Sequence, residues 1–429
     1  MSITFCIATA NNEREYVKLA IKSLTEHTKV DQHEILVFVD SDNQQTYDWL
    51  LQTKQQLPNL KVCKNTSGFP IGSQRNVSVM FSEAKNDVVC YLQSDMVVGK
   101  DFDKHILANI DENTVLSCAR IEPPLHPPSP EKIVMDFGIT PEEFKCDEFN
   151  KFVDELQQKQ LPNIKCHFAP FAVYKSTWLN KLGGFDTQFR CSREDSDSMI
   201  RMKLCGLDTV QTWNACVYHF TCVSSRGKDW FAKTTEADYK NALQERADHQ
   251  ELKRFIRKWG FFGHDPKPVY DITFDIVLDQ YVDFNLLKAV EPYCTRMYLS
   301  DANVTQQLIS QLEFEAHYYS NLRWQYPDEY WKKVKHLFNP TDFSKRINCT
   351  DTKVGDVIVE FKYSNMVGSW KAVWSFVENI HQIVDSTEVG SYDAGFCILH
   401  VNSKNNLMHS MSKHKDIDLL LSQQEFKFS

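Results

Sequence analysis

The sequence predicts an α/β protein, with a mostly parallel sheet flanked by helices and then a smaller α/β or α+β domain. Three observations carry this. Short apolar runs alternate with helix-spaced segments through the first hundred residues, the order that builds a parallel sheet. Two of those runs deliver a carboxylate at the carboxyl end, Asp40 after Glu34–Val39 and Asp95 after Val88–Leu92, and open α/β sheets bind ligands beyond such strand ends. The chain has 429 residues, 42% hydrophobic and 24% charged, enough for two or three domains with real cores.

Taken in order, Ile3–Ala8 reads as the first strand. Tyr16–His27 has helical spacing through Val17, Ala20, Ile21 and Leu24. Glu34–Val39 is a second strand, Thr46–Gln56 a helix and Leu60–Cys63 a short strand. Gly68–Gly72 is a turn, Ser73–Ala84 a helix, and Val88–Leu92 the strand before Asp95. Residues 121–131 contain two Pro-Pro pairs and must be extended; such a loop serves as a lid, an acceptor rim or an ordinary excursion. Residues 142–160 are helical in character, residues 166–179 are apolar, and Leu182–Asp186 makes a sharp turn. His264–Pro268 looks like a linker, so the domains are expected at 1–262 and 268–429. Beyond the linker, Asp271–Leu278, Val357–Phe361 and Phe396–Val401 read as strands, and Asn303–Tyr318 and Asp328–Leu337 as helices. No motif, repeat or low-complexity tract stands out there.

The net charge of −9 disfavours a nucleic-acid partner, which needs basic surface. The 13 cysteines are scattered without a CxxC pair, and many lie in apolar runs, which suggests reduced thiols and a cytoplasmic setting. The first ten residues read as a strand rather than a signal peptide. No stretch approaches the roughly 20 apolar residues of a membrane span, although peripheral membrane association stays open. Asn65-Thr66-Ser67 and Asn348-Cys349-Thr350 fit the glycosylation sequon and are expected to be silent.

Several clusters carry chemistry. Thr9-Ala10-Asn11-Asn12 follows the first strand, where short polar groups either grip a nucleobase or cap the helix. Asp40 and Asp42 follow the second strand and suit uracil N–H or ribose hydroxyls, with a turn as the competing account. Gly72-Ser-Gln-Arg-Asn76 opens the third helix, whose amides, with Arg75, favour a diphosphate. A carboxylate at Asp95 can hold a divalent cation, and His219, after Val217-Tyr218, can complete a mixed O and N set suited to Mn²⁺. Ser192-Arg-Glu-Asp-Ser-Asp197 starts an amphipathic helix; an acid there either answers the helix dipole or acts as a general base.

In their order these pieces resemble glycosyltransferase family 2, the inverting enzymes with the GT-A fold, over roughly residues 1–262. The family's first-strand Thr/Asn segment and second-strand Asp match Thr9, Asn11 and Asp40. Its Gly-x-x-x-Ala-Arg-Asn segment looks like Gly72–Asn76, shorter and without the Ala. Its Leu-Asp-x-Asp lies at Leu92-Gln-Ser-Asp95, so the first Asp is Gln93 here. Gly183-Gly-Phe-Asp186, Glu194-Asp195, His219 and Lys258-Trp-Gly260 match the rest.

The resemblance implies an EC 2.4, hexosyltransferase-type enzyme that moves a sugar from a nucleotide-diphosphate sugar, a UDP-sugar first, to a glycan or other hydroxyl acceptor with inversion. Asp195 would be the catalytic base. Asp95 and His219 would hold Mn²⁺ or Mg²⁺. Thr9, Asn11, Asp40, Asp42, Gly72, Arg75 and Ser94 would bind the donor. Glu194, Phe185 and Trp213 would face the acceptor, although core packing competes for the aromatics. A homodimer is left open. The alternatives are a catalytically degenerate nucleotide-sugar or glycan-binding protein, and a nucleotidyltransferase. The latter would need a basic Gly-rich loop near the N-terminus, which Thr9–Asn12 is not. The C-terminal domain is expected to dock an acceptor or partner, or to stabilise its neighbour.

Overall fold

Both faces of the first strand are apolar, and the structure shows why. Ile3, Phe5 and Ile7 of β1 (Ile3–Thr9) enter one core with Val17, Ala20, Ile21 and Leu24 of helix α1 (Arg14–His27). Cys6, one face over, joins Leu36, Phe38, Val77, Met80 and Phe81 in a second core. A strand covered on both faces reads as a continuous apolar run rather than an alternating one. The computed structural model describes residues 1–10, 13–40, 44–66, 73–125, 128–166, 168–189, 192–221, 223, 249–319, 341–350, 353–414 and 426–429. The side chains of 73–75, 317–319 and 426 are not described, and the expected helix Asp328–Leu337 lies outside these residues.

The chain divides into two compact units that are discontinuous in sequence. One contains Met1–Thr187, Arg201–Ala237 and Lys413–Ser429; the other contains Gln188–Ile200 and Asp238–Ser412. Each unit has its own sheet.

The first unit's sheet runs β17-β3-β2-β1-β4-β9-β6-β10-β5. Here β2 is Glu34–Val39, β3 Leu60–Asn65, β4 Val88–Gln93, β5 Met96–Val98, β6 Thr114–Glu122, β9 Phe171–Tyr174, β10 Asp208–His219 and β17 Phe426–Phe428. Two further short strands, β7 (Lys132–Val134) and β8 (Ile164–Lys165), pair with β6 and β10. The long ladders β3-β2-β1-β4 and β6-β10 are parallel. β9, however, runs antiparallel between β4 and β6, so the sheet is mixed rather than simply parallel. Periodicity could not reveal that, because a short run buried on both faces looks the same in either direction. The connecting helices include α2 (Gln44–Lys54), α3 (Ser73–Glu83), α4 (Phe102–Leu107), α5 (Cys146–Gln158) and α6 (Glu194–Leu204).

The last strand comes from far along the chain. β17 pairs antiparallel with the outer edge of β3, Phe428 opposite Cys63, and Ser429 and Val62, 367 positions apart, also bond through their backbones. Just upstream, the His414 amide donates to the Leu182 carbonyl. Gly183 has φ +79°, and a Cβ there would lie 2.3 Å from the His414 carbonyl oxygen. Glycine is required at that turn on both counts.

The second unit is α/β, which decides between the two expected classes. Its sheet runs β13-β12-β11-β14-β16-β15, with β11 Ile272–Val277, β12 Arg296–Leu299, β13 Ile347–Asn348, β14 Val357–Lys362, β15 Gly390–Asp393 and β16 Cys397–Val401. The first four are parallel in the order third-second-first-fourth, and β16 and β15 add an antiparallel edge. Helices at Phe284–Val290, Ala302–Tyr319 and 363–386 cover a core built on Ile272, Phe274, Val359 and Phe361. Among the described residues no helix is long and apolar enough to cross a membrane.

Candidate functional site

Strand register builds the site in the first unit. β10 and β5 are antiparallel and put His219 opposite Met96, so the imidazole closes β10 beside Asp95, which lies between β4 and β5. The Phe220 amide donates to the Asp95 carbonyl at 3.1 Å and fixes that approach. Asp95 Oδ2 and His219 Nε2 stand 3.6 Å apart, both side chains buried. Thr221, two residues on, sits at φ +62°, a left-handed conformation that costs a non-glycine residue energy and is common at functional turns.

The other imidazole nitrogen has a partner that the sequence reading missed. His219 Nδ1 lies 2.9 Å from Glu122 Oε1. Glu122 ends β6, beside β10, and also binds Lys132 Nζ at 2.9 Å and Arg120 Nη1 at 3.4 Å. Burial pushes its carboxyl up, but the His219 bond and charge, with Arg120 and Lys132, outweigh that and hold it down at about 2. The Glu122 contact at Nδ1 turns the ring so that Nε2 faces Asp95. Metal-binding histidines are oriented in the same way. The signal was available, since Glu122 closes an apolar run just as Asp40 and Asp95 do.

Among the described residues no group of three or more His, Cys, Asp and Glu side chains is arranged to hold a metal. Asp95 and His219 are the two side chains here that would hold a divalent cation, which would supply positive charge to a diphosphate. The donor set of carboxylate oxygen and imidazole nitrogen fits Mn²⁺ or Mg²⁺.

At the end of β2, Asp40 is buried and clamped. Its Oδ1 accepts from Asn65 Nδ2 at 2.7 Å and its Oδ2 from Asn76 Nδ2 at 3.1 Å, and its amide donates to the Thr9 carbonyl at 2.8 Å. Thr9 and Ser94 meet on one carboxylate, Glu13, another residue the sequence reading passed over. Glu13 Oε2 accepts from Ser94 Oγ at 2.5 Å, Ala10 N at 3.2 Å and Thr9 Oγ1 at 3.3 Å. Thus Thr9, Asp40, Ser94 and Asp95 lie at the carboxyl ends of the neighbouring strands β1, β2 and β4, and His219 closes β10, which is separated from β4 by β9 and β6. Asn11, Asp42 and Gly72 lie outside the described residues, and for Arg75 only the backbone, in α3, is described.

Of the two aromatics expected to face an acceptor, Phe185 is buried and Trp213 is half-buried. Phe185 offers no ring to an acceptor: it is 3% exposed and packs edge-on against Trp178 at 4.8 Å. Trp213 sits at a bulge within β10 and packs against the cluster of Phe137, Phe149 and Tyr218. Apolar ring area was worth more in these cores than at a surface.

Glu194 and Asp195 belong to the second unit. They open α6 immediately after Arg193, which is held at φ +73° with its guanidinium 5.2 Å over the Phe262 ring. Burial, then the charges of Asp195 and Glu251, push the Glu194 carboxyl well above the usual range. Ser192 N donates to Glu251 Oε2 at 2.6 Å.

Fold and strand ends together define a mixed α/β protein with buried polar side chains gathered where its strands end. Residues 4–183 match the family model of glycosyl transferase family 2. No curated protein matches the chain. Solved structures similar to it include GalNAc-T7 with UDP, GalNAc and Mn²⁺, at 16% identity and TM-score 0.39, covering 51% of this chain and 44% of that one. TarS 1-349 of S. aureus in complex with UDP has 15% identity and TM-score 0.38, covering 61% and 79%. The mannosyltransferase PcManGT from Pyrobaculum calidifontis, with GDP-Man and Mn²⁺, has 14% identity and TM-score 0.39, covering 59% and 64%.

Proposed function

We propose that the chain is an inverting, metal-dependent glycosyltransferase that moves a sugar from a nucleoside-diphosphate sugar, a UDP-sugar first, to an acceptor hydroxyl. The observation that carries the reading is the Glu122–His219–Asp95 line, an oriented imidazole beside a carboxylate at adjoining strand ends.

Asp195 accepts the acceptor hydroxyl's proton. The acceptor oxygen forms its bond to the anomeric carbon from the face opposite the leaving group. The bond from that carbon to the diphosphate oxygen breaks, and its electron pair leaves with the diphosphate. Burial and the neighbouring acids raise the Glu194 carboxyl and favour its neutral form, so the base role is given to Asp195 beside it. Asp95 and His219 would hold Mn²⁺ or Mg²⁺, and a bound cation supplies Lewis-acid stabilisation to the leaving diphosphate. Thr9 and Asp40, with Asn11, Asp42 and Gly72, hold the nucleoside and diphosphate, Arg75 adds positive charge, and Ser94 sets the turn before Asp95.

The test is donor hydrolysis with a panel of UDP-, GDP- and other nucleotide sugars, each with Mn²⁺ and with EDTA. Diphosphate release from one donor, lost in EDTA, is the expected result. Donor binding with no turnover, with or without metal, favours the degenerate binding protein. No binding to any donor overturns the nucleotide-sugar reading. In the active preparation Asp195→Asn should abolish turnover and leave donor binding nearly intact.

A further inference from the structure

The second unit contains a helix, described from 249 to 259, that grips the segment 188–197 at several points. Arg254 Nη1 donates to the Gln188 carbonyl at 3.0 Å, and Glu251 accepts from Ser192 N at 2.6 Å. Lys258 Nζ lies 2.5 Å from Asp197 Oδ1, and Trp259 Nε1 donates to the same oxygen at 3.0 Å. Asp197 and Trp259 are fully buried. Asp197 sits in the first turn of α6, two residues beyond Asp195, and its amide bonds to the Arg193 carbonyl at 2.9 Å. Within one helical turn, fixing Asp197 fixes the backbone that presents Asp195.

The same helix is rooted in the α/β core. Ile256 packs with Tyr270, Ile272 and Phe274. Arg257 binds Glu291 through Nε and Nη2 at 2.7–3.1 Å, and Glu291, itself fully buried, is also bound by Arg346. Gly260 follows at φ +76°, and a Cβ there would lie 2.1 Å from His381 Nε2. His381 is anchored in turn, its Nδ1 accepting from the Tyr270 amide at 3.1 Å. Lys258 and Trp259 thus face the turn that carries Asp195, while Gly260 lets the chain close on the six-stranded domain.

We propose that the C-terminal α/β domain positions the general base: through helix 249–259, Lys258 and Trp259 clamp Asp197 and hold Asp195 in its working orientation. The proposal rests on Asp195 being the base. It gives the domain a task other than acceptor docking, and it makes Lys258 and Trp259 positioning residues.

The test uses the full chain and reads kcat, donor KM and melting temperature, turnover being nucleoside diphosphate released from the donor that the panel identifies. Lys258→Met and Trp259→Phe should lower kcat by about 10- to 100-fold, the scale of a small misplacement of a reacting group, with donor KM changed less than about twofold. Lys258→Arg, which restores a cation to Asp197, should recover most of kcat. Lys258 has a side chain 23% exposed, so Lys258→Met is the variant suited to fold even if Trp259→Phe is not. If Lys258→Met keeps wild-type kcat while Asp195→Asn is dead, the positioning role is overturned and the base assignment stands. If Asp195→Asn turns over normally, the base assignment itself fails. A loss in Lys258→Met that disappears when kcat is referred to the folded fraction measured at the assay temperature, with no recovery in Lys258→Arg, assigns the clamp to folding alone and also overturns the proposal.

Discussion

At the residue scale, Glu122 holds His219 by Nδ1 and orients the ring toward Asp95. Glu122→Gln removes the charged partner of that nitrogen and, if Asp95 and His219 hold a divalent cation as proposed, should weaken its binding by about 10- to 100-fold, the worth of an outer partner of this kind. A Mn²⁺ titration followed by electron paramagnetic resonance should show that weakening, and unchanged affinity would refute the orienting role. Glu13 makes a second prediction. Burial, with the Asp95 charge, raises its carboxyl from 4.5 to about 7 against the bonds from Ser94, Ala10 and Thr9. A raised folded-state pKa stabilises most below the unfolded value, and the contribution is lost as pH climbs through the folded one. The metal-free protein should therefore lose roughly 3 kcal/mol between pH 4.5 and about 7 through this group. Thermal melts in EDTA should show Glu13→Gln flattening that slope, and an identical slope in the variant would rule Glu13 out. Glu13 was not legible beforehand because its meaning depends on Ser94, 81 positions away. Asp40, Asp95 and Asp195 were legible because an acid at a strand end or a helix start is a local pattern.

At the element scale, the parallel strands were readable where burial on both faces made unbroken apolar runs. Asp271–Leu278 against the observed Ile272–Val277 is a close match. The four-residue β12 and β15 offered too little pattern, and their place comes from pairing. The turn Glu291–Tyr293 illustrates a different cost. Glu291 is fully buried between Arg257 and Arg346; burial pushes its carboxyl up, and the two guanidiniums bring it below the usual range. Removing one partner of such a group is expensive because the remaining charge stays buried. Arg346→Met should cost about 3–5 kcal/mol in urea unfolding. A loss under about 1 kcal/mol, the worth of an exposed pair, would show the site to be hydrated.

At the scale of the whole chain, the two units should respond to acid differently. Burial lowers His381 in the second unit from 6.5 to about 4. A depressed folded-state pKa gives stability that is present above 6.5 and is lost as pH falls toward 4. Hydrogen exchange, corrected for intrinsic rates, should show β11 and β14 losing protection between pH 7 and pH 5. Protection that holds across that interval would remove His381 from the account. Composition shows one break, the linker at His264–Pro268, and the interleaving of the two compact units leaves no trace in it. The return of residues 426–428 to β3 was equally hidden, and it has a consequence for biogenesis. A ribosome makes β3 long before it makes its outer neighbour. Throughout that interval the nascent sheet carries an open flank, with backbone donors and acceptors ready to recruit any extended chain nearby. Chaperone cover during synthesis, and a tendency to aggregate when translation is cut short before residue 426, follow from that order of manufacture.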